Sequence, residues 1–229
     1  MSMSPMLPLP HEPVQLCALF GTDHVRHVKV SEGARLYPSG SDGDCIFVVQ
    51  SGIVKETMQT PDGQDIIVRL VTNGGVTGLS AMLGETHRTS AVVMQGGLVC
   101  RISVAPVNAL MARSEALLLN LMQAWRLAMD DSRVMIASFS HGSAQVRLAR
   151  FLLFRHTHAE PDGFFQLRRR DVTALLGVTS VSATRLIGAF KQNGWLEEQG
   201  RQCRVINTEA LSALAANSVP TPPQPDLAH

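Results

Sequence analysis

The segment from Leu167 to Asn207, LRRRDVTALLGVTSVSATRLIGAFKQNGWLEEQGRQCRVIN, constrains this chain more than any other. Val172, Leu175 and Leu176 recur at i, i+3 and i+4 and give a short helix one apolar face. Gly177 can adopt the left-handed conformation that ends it, and Thr179 is placed to cap a second helix. The pattern predicts that Val181, Leu186, Ile187 and Phe190 bury one side of this second helix and that Ser180, Ser182, Thr184 and Arg185 occupy the other. Asn193-Gly194 closes it, and Gly200 turns a hairpin between Glu197-Glu198 and Arg201-Gln202-Cys203-Arg204-Val205. Two helices joined by a glycine turn and followed by a basic hairpin predict a winged helix-turn-helix.

The hydroxyls and the guanidinium on the polar side suit phosphates and base edges, and a helix of this width fits the major groove of DNA. An ordinary helical hairpin with a solvated face would show the same local pattern. Charge separates the two. Residues 143–214 hold 10 Lys/Arg against 6 Asp/Glu, whereas residues 1–142 hold 10 against 12. The net +4 of the C-terminal part, within a chain of net +1, is the electrostatic footprint that a nucleic acid requires.

With 229 residues and 45% hydrophobic content, the chain has material for two modest domains of a soluble protein. No apolar run approaches the ~20 residues that span a bilayer. The opening MSMSPMLPLPHEP lacks the basic flank and apolar core of a signal peptide, so the expected location is the cytoplasm. Cys17, Cys45, Cys100 and Cys203 are too scattered for a zinc or iron–sulfur loop and read as small buried hydrophobes.

From Val28 to Ser103 short apolar or alternating runs follow one another at close intervals: Cys45 to Val49, Ile53 to Thr57, Ile66 to Val71, Ser90 to Val93 and Val99 to Ile102. Pro38-Ser39-Gly40, Pro61-Asp62-Gly63 and Asn73-Gly74-Gly75 supply turns, which predicts a small all-β domain. The order of these signals, with Gly40, Gly43 and Asp44, the run Phe47 to Gly52, Asp62-Gly63, Gly78-Leu79-Ser80 and Thr89-Ser90-Ala91, resembles the cyclic-nucleotide-binding β-roll. Together with the winged helix, residues 20–212 resemble a Crp/Fnr-family transcription regulator.

The resemblance implies an α+β fold: an N-terminal β-roll like a cyclic-nucleotide-binding jelly roll, a long dimerisation helix, and a C-terminal winged helix-turn-helix. The implied division is an arm (1–22), a sensor (23–104), a helix and hinge (105–142), a DNA-binding domain (143–214) and a disordered tail (215–229). It also implies DNA contacts from Arg168, Arg169, Thr179, Ser180, Val181, Ser182, Thr184, Arg185, Lys191 and Arg201. Arg185 matches the arginine in the middle of the family's recognition helix, where a bidentate contact to guanine is the commonest specific pairing. The family's glutamate in that helix is replaced by Val181, so its cytosine contact is lost and the operator should differ there.

Members that bind cyclic AMP hold its ribose with the Glu of a Gly-Glu-Leu step and its phosphate with the Arg of an Arg-Ser-Ala step. Here these positions are Leu79 and Thr89, so both charges are missing; Arg88 lies one residue away, on the opposite strand face. Cyclic AMP is therefore not expected, and the effector stays open between cyclic di-GMP, another small molecule and none. Gly78, Leu79, Ser80, Arg88, Thr89 and Ser90 would line an effector pocket, with Ser132 and Arg133 from the long helix. The single cysteine of the arm cannot hold an iron–sulfur cluster, and His24, His27 and His87 read as scattered surface histidines rather than haem ligands. No catalytic or metal-binding constellation is present in the sequence.

Between Ala105 and Ser140 the chain has helical spacing, with no proline or glycine after Pro106. Leu118, Met122, Trp125, Met129, Ser132 and Ile136 recur at 4-3-4-3-4, a coiled-coil seam, while Leu117, Leu119 and Leu121 call for packing against the chain's own domain. The family implies a homodimer through this helix, near-palindromic promoter DNA and contact with RNA polymerase. His141-Gly142-Ser143 breaks the pattern as a hinge, and the stretch from Ser218, with four prolines, is too polar to pack. The expectation is a dimeric DNA-binding regulator with a sensor domain. Its rival is a constitutive regulator whose β-roll is only a platform; an enzyme or a cyclic-nucleotide-gated subunit has no support in these residues.

Overall fold

The computed structural model describes Cys17, residues 24–105 and residues 114–216. The rest of the predicted arm, residues 106–113 of the predicted long helix and the tail beyond residue 216 lie outside the described residues.

Eight strands, β1 (Val25–Val30), β2 (Arg35–Tyr37), β3 (Cys45–Val49), β4 (Ile53–Gln59), β5 (Asp65–Val71), β6 (Val76–Thr77), β7 (Ser90–Gln95) and β8 (Gly97–Ser103), form two antiparallel sheets. Their orders are β1-β8-β3-β6 and β2-β7-β4-β5. The alternation of side chains explains why β3 is apolar throughout. Cys45, Phe47 and Val49 face the second sheet and meet Val54, Val71, Ala91, Val93 and Val99. Ile46 and Val48 face outward, yet they too are covered, by Leu117, Leu121 and Ala124 of helix α1 (Glu115–Phe139). A strand packed on both sides needs no polar face.

Helix α1 begins at Ser114, whose Oγ accepts a hydrogen bond from the Leu117 amide at 3.3 Å. After Gly142, with φ of 90°, come α2 (Ala144–Thr157), β9 (Phe164–Gln166), α3 (Arg169–Leu176), α4 (Ser180–Gln192), β10 (Leu196–Gln199), β11 (Gln202–Val205) and α5 (Thr208–Ala216). The three late strands form a sheet of order β10-β11-β9. β9 escaped the sequence reading because three residues carry too little pattern to be seen.

The two halves share one core. Ile53, Ile67, Leu70 and Met94 of the β-roll join Met135 and Phe139 of α1 and Leu148, Phe151, Phe154, Val172 and Leu176 of the C-terminal domain in a continuous apolar cluster. Lys55 on β4 forms a buried ion pair with Asp171 on α3, and Glu32 pairs with Arg168 at 2.7 Å. Gln95 Nε2 donates to the His158 carbonyl oxygen at 2.7 Å. The winged helix is thus docked on the roll of its own chain. Among the described residues no single helix is long and apolar enough to cross a membrane.

Candidate nucleic-acid interface

Helices α3 and α4 meet at a bend of 108°, set by Gly177, whose φ of 61° lies in the left-handed region that side chains with a Cβ disfavour. Thr179 then caps α4: its Oγ1 accepts from the Ser182 amide at 3.2 Å and donates to the Ser182 Oγ at 3.0 Å. The buried side of α4 consists of Ala183, Ile187 and Phe190, with Leu186 half-buried. This corrects one expectation. Val181 is 78% exposed and takes no part in the core. Ala183, Ile187 and Phe190 stand at i, i+4 and i+7, whereas Val181 lies six residues before Ile187, on another side of a 3.6-residue helix.

The predicted contact residues divide by exposure and pairing. Thr179, Ser180, Val181, Thr184 and Arg185 are exposed together along the first two turns of α4, with Ser182 half-buried beside its cap partner. Arg185 has no carboxylate partner among the described residues. Arg169 stands exposed at the start of α3, and Arg201 stands exposed in the tight turn between β10 and β11. Other predicted cations are already engaged. Arg168 is held by Glu32 and by the Gln166 Oε1 at 2.6 Å, and Lys191 pairs with Glu198 at 2.5 Å. The wing is also less basic than its composition suggests, since Arg204 pairs with Glu197 at 2.6 Å and lies over the Phe164 ring. Arg170, which completes the run Arg168-Arg169-Arg170 at the start of α3, is also exposed and lines a groove with Gly177, Thr179 and Ser180.

In the β-roll, Gly78, with φ of 83°, leads into a 3-10 turn, Leu79–Leu83, and Leu79 packs beneath it with Ile46 and Val76. The Ser80 Oγ lies 3.0 Å from the His87 Nδ1, the Ser90 Oγ accepts from the Ser39 amide at 2.9 Å, Thr89 is half-buried and Arg88 is exposed. Ser132 donates to the Ala128 carbonyl oxygen along its own helix, and Arg133 is exposed and paired with Asp130 at 2.9 Å. The residue that α1 sends into the roll is Asp131.

Asp131 belongs to a buried polar cluster that the sequence reading missed. The Glu56 Oε1 accepts from Arg69 at 3.2 Å, from Thr77 at 2.5 Å and from Tyr37 at 3.4 Å, and Arg69 also meets Asp131 at 3.4 Å and the Val76 carbonyl oxygen. Glu56 and Arg69 are direct partners across β4 and β5, so one register places both charges. The Tyr37 ring stacks on His87 with centroids 3.8 Å apart. Burial holds the His87 imidazole below its ordinary value and pushes the Tyr37 hydroxyl up. A cavity of about 400 Å³ opens beside this pair, lined by Val28, Leu36, Phe47 and Val99, with Arg101 at its edge in a 3.0 Å pair with Asp44. Among the described residues no three His, Cys, Asp or Glu side chains are grouped so as to hold a metal ion.

Comparison with known proteins agrees with this geometry at both ends of the chain. Residues 27–114 match the family model of the cyclic nucleotide-binding domain, and residues 146–214 match that of the Crp-like helix-turn-helix domain. The chain belongs to the Crp/Fnr family. It is 25% identical over 199 residues to the fumarate and nitrate reduction regulatory protein of Vibrio cholerae, covering 84% of this chain and 80% of that one. Among solved structures, a CRP-family transcriptional regulator from Thermus thermophilus superposes with a TM-score of 0.73 at 19% identity, over 82% of this chain and 96% of that one. FixK2 from Bradyrhizobium japonicum gives 0.70 at 21% identity, over 84% and 98%. This Crp/Fnr protein is accordingly a transcription regulator and not an enzyme, with the expected β-roll and winged helix.

Proposed function

We propose that this Crp/Fnr regulator acts in the cytoplasm as a homodimer on near-palindromic promoter DNA, where it meets RNA polymerase, and that it answers to an effector other than cyclic AMP. One observation carries the dimer. Leu118, Leu119, Met122, Met129 and Ile136 on α1 are 46%, 57%, 60%, 53% and 61% exposed, on the side turned away from the β-roll. Five large apolar side chains left in water on one helix are an interface waiting for its twin. A twofold axis there would present two α4 helices to successive major grooves. Sedimentation of the full chain should give a dimer, and Met122→Glu combined with Met129→Glu should give a folded monomer that no longer shifts a palindromic fragment. A wild-type monomer that still binds such DNA would overturn the reading.

The effector reading rests on side chains that are already engaged. Leu79 and Thr89 cannot hold a ribose and a phosphate as a carboxylate and a guanidinium do, and the buried cation that the β-roll turns toward α1, Arg69, is engaged by Glu56 and Asp131. An anion entering there would have to displace two carboxylates. The same self-paired interior favours a second reading, an effector-independent regulator whose roll is a dimerisation and polymerase platform. Calorimetric titration with cyclic AMP and cyclic di-GMP, paired with operator affinity, separates the two: an effector that changes affinity supports the first reading, and none supports the second.

A further inference from the structure

Among the described residues Val181 is the most exposed of the large apolar ones, on a helix whose other exposed positions are polar. It stands one turn before Arg185, on the same side of α4, near two threonines whose hydroxyl protons are already engaged. The Thr184 Oγ1 donates to the Ser180 carbonyl oxygen at 2.9 Å, and the Thr179 Oγ1 donates to Ser182. At its first turn the helix thus offers DNA a branched apolar side chain at Val181, flanked by the hydroxyls of Ser180 and Ser182. In the major groove only thymine presents an apolar group, the C5-methyl; the other edges present donors and acceptors that an apolar side chain would bury unsatisfied.

Resting on the reading of α4 as the DNA-reading helix, we propose that Val181 selects a thymine by packing on its methyl group. Val181 and Arg185 are four residues apart, a rise of roughly 6 Å along the helix, and base pairs are stacked about 3.4 Å apart. The thymine then lies within about two base pairs of the guanine that Arg185 reads. Val181 supplies area and shape; Arg185 supplies the directional hydrogen bonds.

The test is to enrich a randomised duplex library with the full-length protein, then to replace each thymine of the best site by deoxyuridine, which removes the methyl alone. The expected result is one position, within about two base pairs of the guanine whose preference disappears in Arg185→Ala, where deoxyuridine weakens the wild type about fourfold, as for one buried methyl-sized group. Val181→Ala should bind thymine and deoxyuridine alike there, and Val181→Glu should move the preference to cytosine, whose amino group a carboxylate accepts. Because Val181 is in water in the free protein, unchanged melting curves should show that both variants fold. An enriched site with an Arg185-dependent guanine but no Val181-dependent methyl effect overturns this inference and leaves the DNA-reading helix standing. A library that shows no enrichment overturns both.

Discussion

At the scale of single residues, the exposed cations of the C-terminal domain have different expected roles. Arg185→Ala should cost ~1–3 kcal/mol at the cognate site and flatten discrimination at one base pair. Arg169→Ala should weaken all sequences alike and lower the salt slope by about one, because a phosphate contact carries no sequence information. Gel shifts on cognate and scrambled duplexes at several salt concentrations measure both. Arg168 should behave differently again, since its guanidinium already serves Glu32 and Gln166. Within the β-roll, burial beside Tyr37 lowers the pKa of the His87 imidazole. Its pKa in the folded chain is below the ordinary value of about 6.5, so the folded state takes up its proton later than the unfolded chain as pH falls. The stability linked to this group is therefore fully present above about pH 6.5 and is lost as pH falls through the lower, folded value. Urea unfolding at a series of pH values should show that loss, and His87→Asn should reduce it. The sequence reading of α4 failed at one residue for a clear reason: Val181 outranks Ala183 in hydrophobicity, and Ala183 was passed over although its spacing from Ile187 and Phe190 fits the buried side.

At the scale of elements, local signals were legible and distant pairings were not. Gly177, Thr179, Gly200 and the turn at Asp62-Gly63 each announce a break or a cap through their own backbone preferences, and the elements fall where they point. The predicted pocket residues Ser132 and Arg133 sit beside the residue that enters the roll, and one step along a helix turns the side chain by about 100°. No local signal marks Asp131 as the partner of Arg69. The bond between Lys55 and Asp171 joins residues 116 positions apart, and neither position is unusual in its own segment. Lys55→Ala would leave that carboxylate buried without its cation and should cost about 3–5 kcal/mol in urea unfolding, whereas Lys55→Met with Asp171→Leu should cost far less. A result in which single and double variants are equally destabilised would place the effect in packing and not in charge.

At the scale of the whole molecule, the β-roll and the winged helix share a core, so their relative placement is part of the fold energy. A ligand that binds the folded roll at 100 times its dissociation constant would stabilise the chain by ~2.7 kcal/mol. Millimolar cyclic AMP is expected to leave both the melting temperature and operator affinity unchanged; a saturable shift removed by Arg88→Ala would mean that Arg88 had taken over the phosphate. The joint between the halves has its own restraint. Gly142 supplies rotational freedom, yet Arg150, one and a half turns into α2, donates to the Ser138 carbonyl oxygen at 2.8 Å and to the His141 carbonyl oxygen at 3.1 Å on the near side of the joint, and to Ala215 in α5 on the far side. A single guanidinium thus bridges both members of the joint like a pin through a pivot, so a turn of the long helix is expected to carry the second domain with it.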